Sequence, residues 1–140
     1  MKAIIGLFII TAMMITAGCS GGNQSDTSSQ KPAITSIDES AYTNVDVNEA
    51  AKLIEQGITI VDVRTPEEYN AGHIPNALLI PLQELEARID EFSADEQYLI
   101  VCRSGNRSAQ ASEILTKNGM KHIYNMTGGM IEWTGEVVTG

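Results

Sequence analysis

The sequence predicts an α/β fold, a parallel sheet with helices on both faces, and three observations carry that prediction. From about Ile37 onward, short β-branched or apolar runs alternate with stretches of helical periodicity. Such alternation joins parallel strands through crossover helices. The run Ile58–Val63, "ITIVDV", is apolar almost throughout, as a strand covered on both faces must be. Capping residues stand ahead of helical stretches, and Gly57 and Asn118-Gly119 follow two of them as stops. A chain of 140 residues has room for one ordinary domain and not for two.

The elements follow in order. Tyr42–Val45 is a short strand. Asp46 is a helix N-cap, and Glu49, three residues on, completes a capping-box pair. Val47, Ala50, Ala51 and Ile54 then share one helix face, which stops at Gly57. After the strand Ile58–Val63, Thr65, Pro66 and Glu68 form a second capping signal, and a short helix runs to near Gly72. Ala77–Ile80 is a strand closed by Pro81. Leu82, Leu85, Ile89 and Phe92 keep helical spacing, with Glu84, Glu86 and Arg88 on the wet side. Tyr98–Val101 is a buried strand, and Cys102 comes immediately after it. Ser108 opens a helix with Ala109, Ala111, Ile114 and Leu115 as its apolar members. Lys121–Met126 is the last strand, and "GGMIEW" turns into a short helix carrying Trp133, a packing residue.

The N-terminal residues are read apart from the fold. Lys2 precedes an uncharged run of 15 residues, Ala3–Ala17, short for a bilayer span of about 20 and suited to an export signal. It ends in "TAGCS", which resembles a bacterial lipobox, with Thr16 at a position where Leu is the common residue. Residues 1–18 are then a lipoprotein signal peptide, residues 19–36 a lipidated Cys19 and a flexible linker, and residues 37–140 the folded domain. The expectation is a domain held on a bacterial cell membrane by lipid on Cys19, facing outside the cytoplasm.

Net charge is −9, from 9 Lys and Arg against 18 Asp and Glu. That balance argues against nucleic acid and against an electrostatic footprint on anionic lipid. An anionic substrate needs a local positive site, and Cys102, Arg103 and Arg107 in "YLIVCRSGNRSAQ" are the obvious one. With Cys19 taken by lipid, Cys102 stands alone in an exported domain, where thiols usually pair. A buried core cysteine is the alternative, and the flanking residues count against it.

Cys102 lies where ligands bind in parallel sheets, beyond the carboxyl end of a strand. Gly105 allows torsions that other residues resist, so successive amides can point inward as an anion nest. The helix starting near Ser108 adds its positive end. Such settings lower a thiol pKa from about 8.5 to roughly 3.5–7.5, and Arg103 and Arg107 add charge-assisted contacts to an anion. No histidine stands near Cys102 in sequence. His73 is read as structural, holding the turn before Ile74-Pro75, and His122 as a strand-start residue. Asp62 and Arg64, two apart, share a face at a strand end; a structural ion pair and a substrate contact both remain open. Glu67 and Glu68 are read as helix-start residues.

Taken together, "IVDVRTPEEYNAGHIPNALLIP", "IVCRSGNRS" and "MTGGMIEW" resemble the rhodanese family of thiosulfate sulfurtransferases, over about Tyr42–Gly140. The resemblance implies a single domain with a five-stranded parallel sheet and Cys102 as the catalytic nucleophile. It implies that Cys102 takes the outer sulfur of a donor such as thiosulfate as a persulfide and passes it to cyanide or a thiol. The backbone from Arg103 through Ser104, Gly105 and Asn106 to Arg107 would cradle that sulfur. Arg64 joins the substrate-binding set, and Asp62 and Ser108 order the site. No cofactor and no metal are implied. The partner is a small sulfur-containing anion or thiol acceptor, and the chain is expected to be a monomer. Cysteine phosphatases and arsenate reductases resemble this arrangement but use a Cys-x5-Arg loop. Here Cys102 and Arg107 enclose four residues, and the loop holds no acid for an oxygen leaving group. A persulfide carrier, with thiosulfate incidental, is the alternative function.

Overall fold

Residues 41–140 are described by the structure, a computed structural model. The expected signal peptide, Cys19, the linker and the domain start at Ile37 lie outside the described residues. Strand β1 (Thr43–Val45) enters helix α1 (Val47–Glu55) through the expected capping box. The Asp46 carboxylate accepts from the amides of Asn48 and Glu49 at 2.8 and 2.9 Å, and the Glu49 carboxylate accepts back from the Asp46 amide. Strand β2 (Thr59–Asp62) enters α2 (Pro66–Ala71) by the same device, with Thr65 and Glu68 exchanging bonds and Pro66 opening the helix. Next come β3 (Leu78–Leu79), a 3-10 helix (Glu86–Glu91), β4 (Gln97–Val101), α3 (Asn106–Lys117), β5 (His122–Met126) and α4 (Gly129–Glu132).

The five strands form one sheet in the order β1-β5-β4-β2-β3, every neighbouring pair parallel. β4 is central, so its side chains are buried on both faces, as the unbroken apolar run "YLIV" requires. On one face Leu99, Val101, Ile60 and Met126 pack with Ala50 and Leu53 of α1, Tyr69 of α2 and Met130 of α4. On the other, Ile100, Val61 and Ile123 pack with Ala111 and Leu115 of α3 and with Leu85 and Phe92. Burying each of the fully buried Val, Leu, Ile and Met side chains among them contributes roughly 1.5–3 kcal/mol, and the two layers fix the sheet between them.

Two element assignments change. Leu82–Phe92 is not an α-helix: turns lead into the 3-10 helix, no side chain caps it at Leu85, and Arg88 leaves helical torsions at φ −112° and ψ 19°. Leu85, Ile89 and Phe92 still reach the core, because their spacing satisfies burial with either kind of turn. Helix α3 begins at Asn106, two residues before the expected Ser108, since Gly105 at its N-cap turns the chain in at φ +92°. After α4 the chain returns to α2: His73 and Val138 exchange amide–carbonyl bonds at 2.9 Å. His73 also stacks on the Tyr69 ring at 3.6 Å and places Nδ1 2.9 Å from the Tyr69 carbonyl, the structural part expected of it. No helix among the described residues is long and apolar enough to cross a membrane.

Candidate active site

The register of the sheet brings the site together. Asp62 of β2 lies opposite Val101 of β4, and the Val63 amide donates to the Val101 carbonyl at 2.9 Å. Arg64 and Cys102 therefore leave the sheet side by side, at its carboxyl edge.

From Cys102 the chain makes a tight turn into α3. The Gly105 amide donates to Cys102 Sγ at 3.1 Å. A Cβ at Gly105 would stand 3.3 Å from the Gly128 nitrogen and the Thr127 Cα, so the turn is pressed against the β5–α4 connection. That connection sets the direction of the loop's peptides. The Cys102 and Arg103 carbonyls accept from the Met130 and Ile131 amides at 2.9 and 3.0 Å. In a trans peptide N–H opposes C=O, so the same two planes send the Arg103 and Ser104 amides away from α4. The Ser104 amide is among the donors to the sulfur. Gly129 makes the contact possible: at φ +59°, its Cβ would fall 2.5 Å from the carbonyl carbon and oxygen of Arg103.

Cys102 is buried, and burial pushes its pKa up. The Ser108 hydroxyl, then the amides of Ser108, Ser104 and Gly105, push it down, and together they leave it below the ordinary thiol value. Ser108 has a double duty. Its Oγ donates to the Gly105 carbonyl at 3.0 Å and lies 3.3 Å from Sγ. A hydroxyl has one proton, so while it serves Gly105 it accepts the thiol S–H. When the thiol ionises, the hydroxyl turns to donate to sulfur.

The guanidinium groups are less free than the sequence suggests. Arg107 lies bidentate on Glu68 at 2.7 and 2.8 Å, instead of standing open to an anion. Hydrogen bonds from Arg107 are the main reason that the Glu68 carboxyl is pulled from 4.5 to about 2. Arg64 is 6% exposed. Its Nε and Nη2 bond Asp62 at 2.6–3.0 Å, and Nη2 also donates to the Gly72 carbonyl at 2.8 Å. Arg103 is exposed and has no hydrogen-bonding or ionic side-chain partner among the described residues. The Ser104 and Asn106 side chains are exposed as well.

Of the residues singled out by sequence, Cys102, Ser104, Gly105 and Ser108 thus surround the sulfur. Arg107 and Arg64 sit in ion pairs beside it, and Asp62 holds Arg64. Glu68 is the residue that sequence reading missed. It is a helix-start residue through Thr65, as read, but its bond across 39 positions to Arg107 leaves no local signal. Among the described residues, no group of three or more His, Cys, Asp or Glu is placed to hold a metal ion.

Comparison with known proteins agrees with this geometry. The family model for the rhodanese-like domain matches residues 46–136. The chain is 40% identical over 82 residues to YrkF of Bacillus subtilis, provisionally named a sulfur carrier protein; the match covers 59% of this chain and 44% of YrkF, less than half of that relative's length. It is 30% identical over 92 residues to the thiosulfate sulfurtransferase GlpE of Pseudomonas syringae, covering 66% of this chain and 87% of GlpE. A rhodanese-like domain protein from Staphylococcus aureus superposes with a TM-score of 0.65 at 37% identity, covering 70% of this chain and 98% of that one.

Proposed function

Because the chain belongs to the rhodanese-like domain family, we propose that it is a sulfurtransferase working through a persulfide on Cys102. The observation that carries the reading is the sulfur's surroundings: a thiol with lowered pKa, met by the Ser108 hydroxyl and by amides from Ser104, Gly105 and Ser108. In the first half-reaction the Cys102 thiolate attacks the outer sulfur of thiosulfate. An S–S bond forms, the donor's own S–S bond breaks, and its electron pair leaves with sulfite, a stable anion. The enzyme is left as Cys102–S–S⁻, with charge conserved. In the second, cyanide or a thiolate attacks the outer sulfur and departs as thiocyanate or a persulfide, and the Cys102 thiolate returns. Neither half needs a proton donor for the leaving group, so amides and hydroxyl suffice where an oxygen leaving group would demand an acid. GlpE, named a thiosulfate sulfurtransferase, supports thiosulfate as donor by likeness.

Cyanide-dependent turnover of thiosulfate by the purified protein, against Cys102→Ser, tests the proposal. Wild type is expected to form thiocyanate and to carry a 32-dalton adduct on Cys102 after donor exposure, and the variant to do neither. Equal activity in the two proteins would remove the nucleophile. A second reading, a persulfide carrier fed by another protein, takes support from the name of YrkF. It is favoured if Cys102 accepts sulfur from protein persulfides far faster than from thiosulfate. We further place the domain outside the cytoplasm on lipid at Cys19, a reading supported by "TAGCS" after the apolar run. Loss of membrane recovery in Cys19→Ala would be the expected result, and unchanged recovery would refute it.

A further inference from the structure

Past α4 the chain comes back to the end of α2 and closes on it. The Trp133 Nε1–H donates to the Glu136 carbonyl at 3.1 Å, and residues 137–140 then run beside the turn that follows α2. The His73 amide donates to the Val138 carbonyl and the Val138 amide to the His73 carbonyl, each at 2.9 Å, and the Gly140 amide donates to the Asn70 carbonyl at 3.4 Å. Val137 lies on the backbone of Gly72, where a Cβ would stand 2.9 Å from its Cγ1. What this strap holds is the Gly72–His73 peptide. The N–H of that peptide goes to Val138, and its carbonyl accepts from Arg64 Nη2 at 2.8 Å. In a trans peptide the two groups point in opposite directions, so one plane is gripped by the strap at one end and by Arg64 at the other. Val137, Val138 and Gly140 lie outside the stretch, residues 46–136, that the family model matches.

We propose that residues 137–140 are a positioning strap for Arg64: by fixing the Gly72–His73 peptide, they fix the guanidinium that leaves the sheet beside Cys102. The inference rests on the reading of Cys102 as the reacting group and is indifferent to the sulfur donor. The physical reason lies in the protons of Arg64. Nη2 has two, one for Asp62 at 2.6 Å and one for the Gly72 carbonyl. Arg64 is 6% exposed, so a proton released by Gly72 finds little water and costs free energy while it stays unpaired. Asp62 alone meets Nε and Nη2 along one edge, and the guanidinium would swing about that edge to find a new acceptor. Gly72 does not set the direction of its own carbonyl, because at φ 163° and ψ 128° it has no Cβ to restrict the torsion. His73 is tied to α2 through its ring, which stacks on Tyr69, but its amide has the Val138 carbonyl as partner. The direction of the Gly72 carbonyl is therefore set from the strap.

The test reads Cys102 with an anionic and a neutral reagent. Alkylation by iodoacetate and by iodoacetamide is followed on the Cys102 peptide by mass spectrometry, at one pH and low salt. The ratio of the two rates cancels the thiolate fraction, because the same thiolate attacks both reagents. Val138→Pro removes the amide that the strap donates and sets a ring in its place. The His73 amide should then exchange its hydrogen faster, and the iodoacetate-to-iodoacetamide ratio should fall about threefold, the scale on which one nearby charge acts on a partly screened anion. Arg64→Gln should lower the ratio by as much or more, and Val138→Pro should add nothing to it. In about 1 M salt, with a screening length of about 3 Å, wild type and Val138→Pro should give the same ratio, which keeps the test decisive if Arg64→Gln does not fold. A strap that only stabilises the fold would lower the melting temperature and leave the ratio alone, and that result overturns the proposal. So does a His73 amide no less protected in Val138→Pro, or a fall in the ratio that persists at high salt. Donor turnover plays no part in these rates, so failure of thiosulfate with this pattern intact would sink only the sulfurtransferase reading.

Discussion

Replacing Glu68 by Gln cuts the tie between α2 and the end of the loop, and its cost can be worked from the structure. A carboxyl pulled from 4.5 to about 2 on folding corresponds to about 3 kcal/mol at neutral pH as an upper bound. Both side chains of the pair are 29% exposed, so solvent screening brings the figure down to about 1–2 kcal/mol. The sign follows from linkage. The folded-state pKa is depressed, so the stabilisation is fully present above the unfolded value of 4.5 and is lost as pH falls through about 2. Urea unfolding of wild type and Glu68→Gln at matched pH is the assay. The gap between the two should hold at about 1–2 kcal/mol from pH 7 to pH 5, drop below half by about pH 3, and nearly close at about pH 2. Glu68 also caps α2 through Thr65, so a double-mutant cycle with Arg107→Gln separates the two duties. A gap independent of pH, or a coupling energy near zero, would refute the claim that this pair holds the loop.

Further predictions rest on the sulfur and its glycines. The rate of Cys102 alkylation against pH should show a midpoint below the ordinary thiol value, with reactivity lost on the acid side. Ser108→Ala should raise that midpoint, since a hydrogen bond to a charged group is worth roughly 1.5–3 kcal/mol and the Ser108 hydroxyl is the largest of the groups that lower it; an unmoved midpoint would show that the amides alone set it. Gly57 and Gly129 both lie at positive φ, but nothing stands within 4 Å of a Cβ at Gly57, while one at Gly129 meets Arg103 at 2.5 Å. Gly57→Ala should therefore cost about 1 kcal/mol from torsion alone, and Gly129→Ala at least about twice as much with a loss of sulfur reactivity. Equal costs by thermal unfolding would mean that α4 does not press on the loop.

What sequence reveals here depends on the range of the interaction. The two capping boxes were legible because Asp46 and Glu49, and Thr65 and Glu68, stand three apart and meet through local geometry. The all-parallel sheet followed from apolar runs whose burial on both faces leaves little choice of layer. Cys102 stood out through its place at a strand end and the glycine three residues on. The 3-10 helix after β3 was hidden because the spacing of Leu82, Leu85, Ile89 and Phe92 reports burial and not torsion. The pairing of Arg107 with Glu68 joins groups 39 residues apart, and no local pattern announces it. The two glycines after Thr127 were visible, but their purpose was not: only the structure shows Gly129 letting two amides of α4 claim the carbonyls of Cys102 and Arg103.

That last contact changes which groups power the site. Counting arginines suggests a cysteine surrounded by positive charge, but Arg64 is matched by Asp62 and Arg107 by Glu68. Of the three, Arg103 alone has no ionic partner among the described residues, and it is exposed. The thiolate is therefore stabilised by dipoles held in place: the Ser108 hydroxyl and the amides of Ser104, Gly105 and Ser108. The amides among them need no reorganisation as the charge on the sulfur changes, because the loop is fixed from behind by α4 and at its far end by Glu68. The paired arginines act as posts of this frame, and Arg103 is free to meet whatever anion arrives. An acidic protein can thus favour the ionised form of a buried sulfur without an excess of local cations, and the same frame that lowers the thiol pKa orders the loop that carries it.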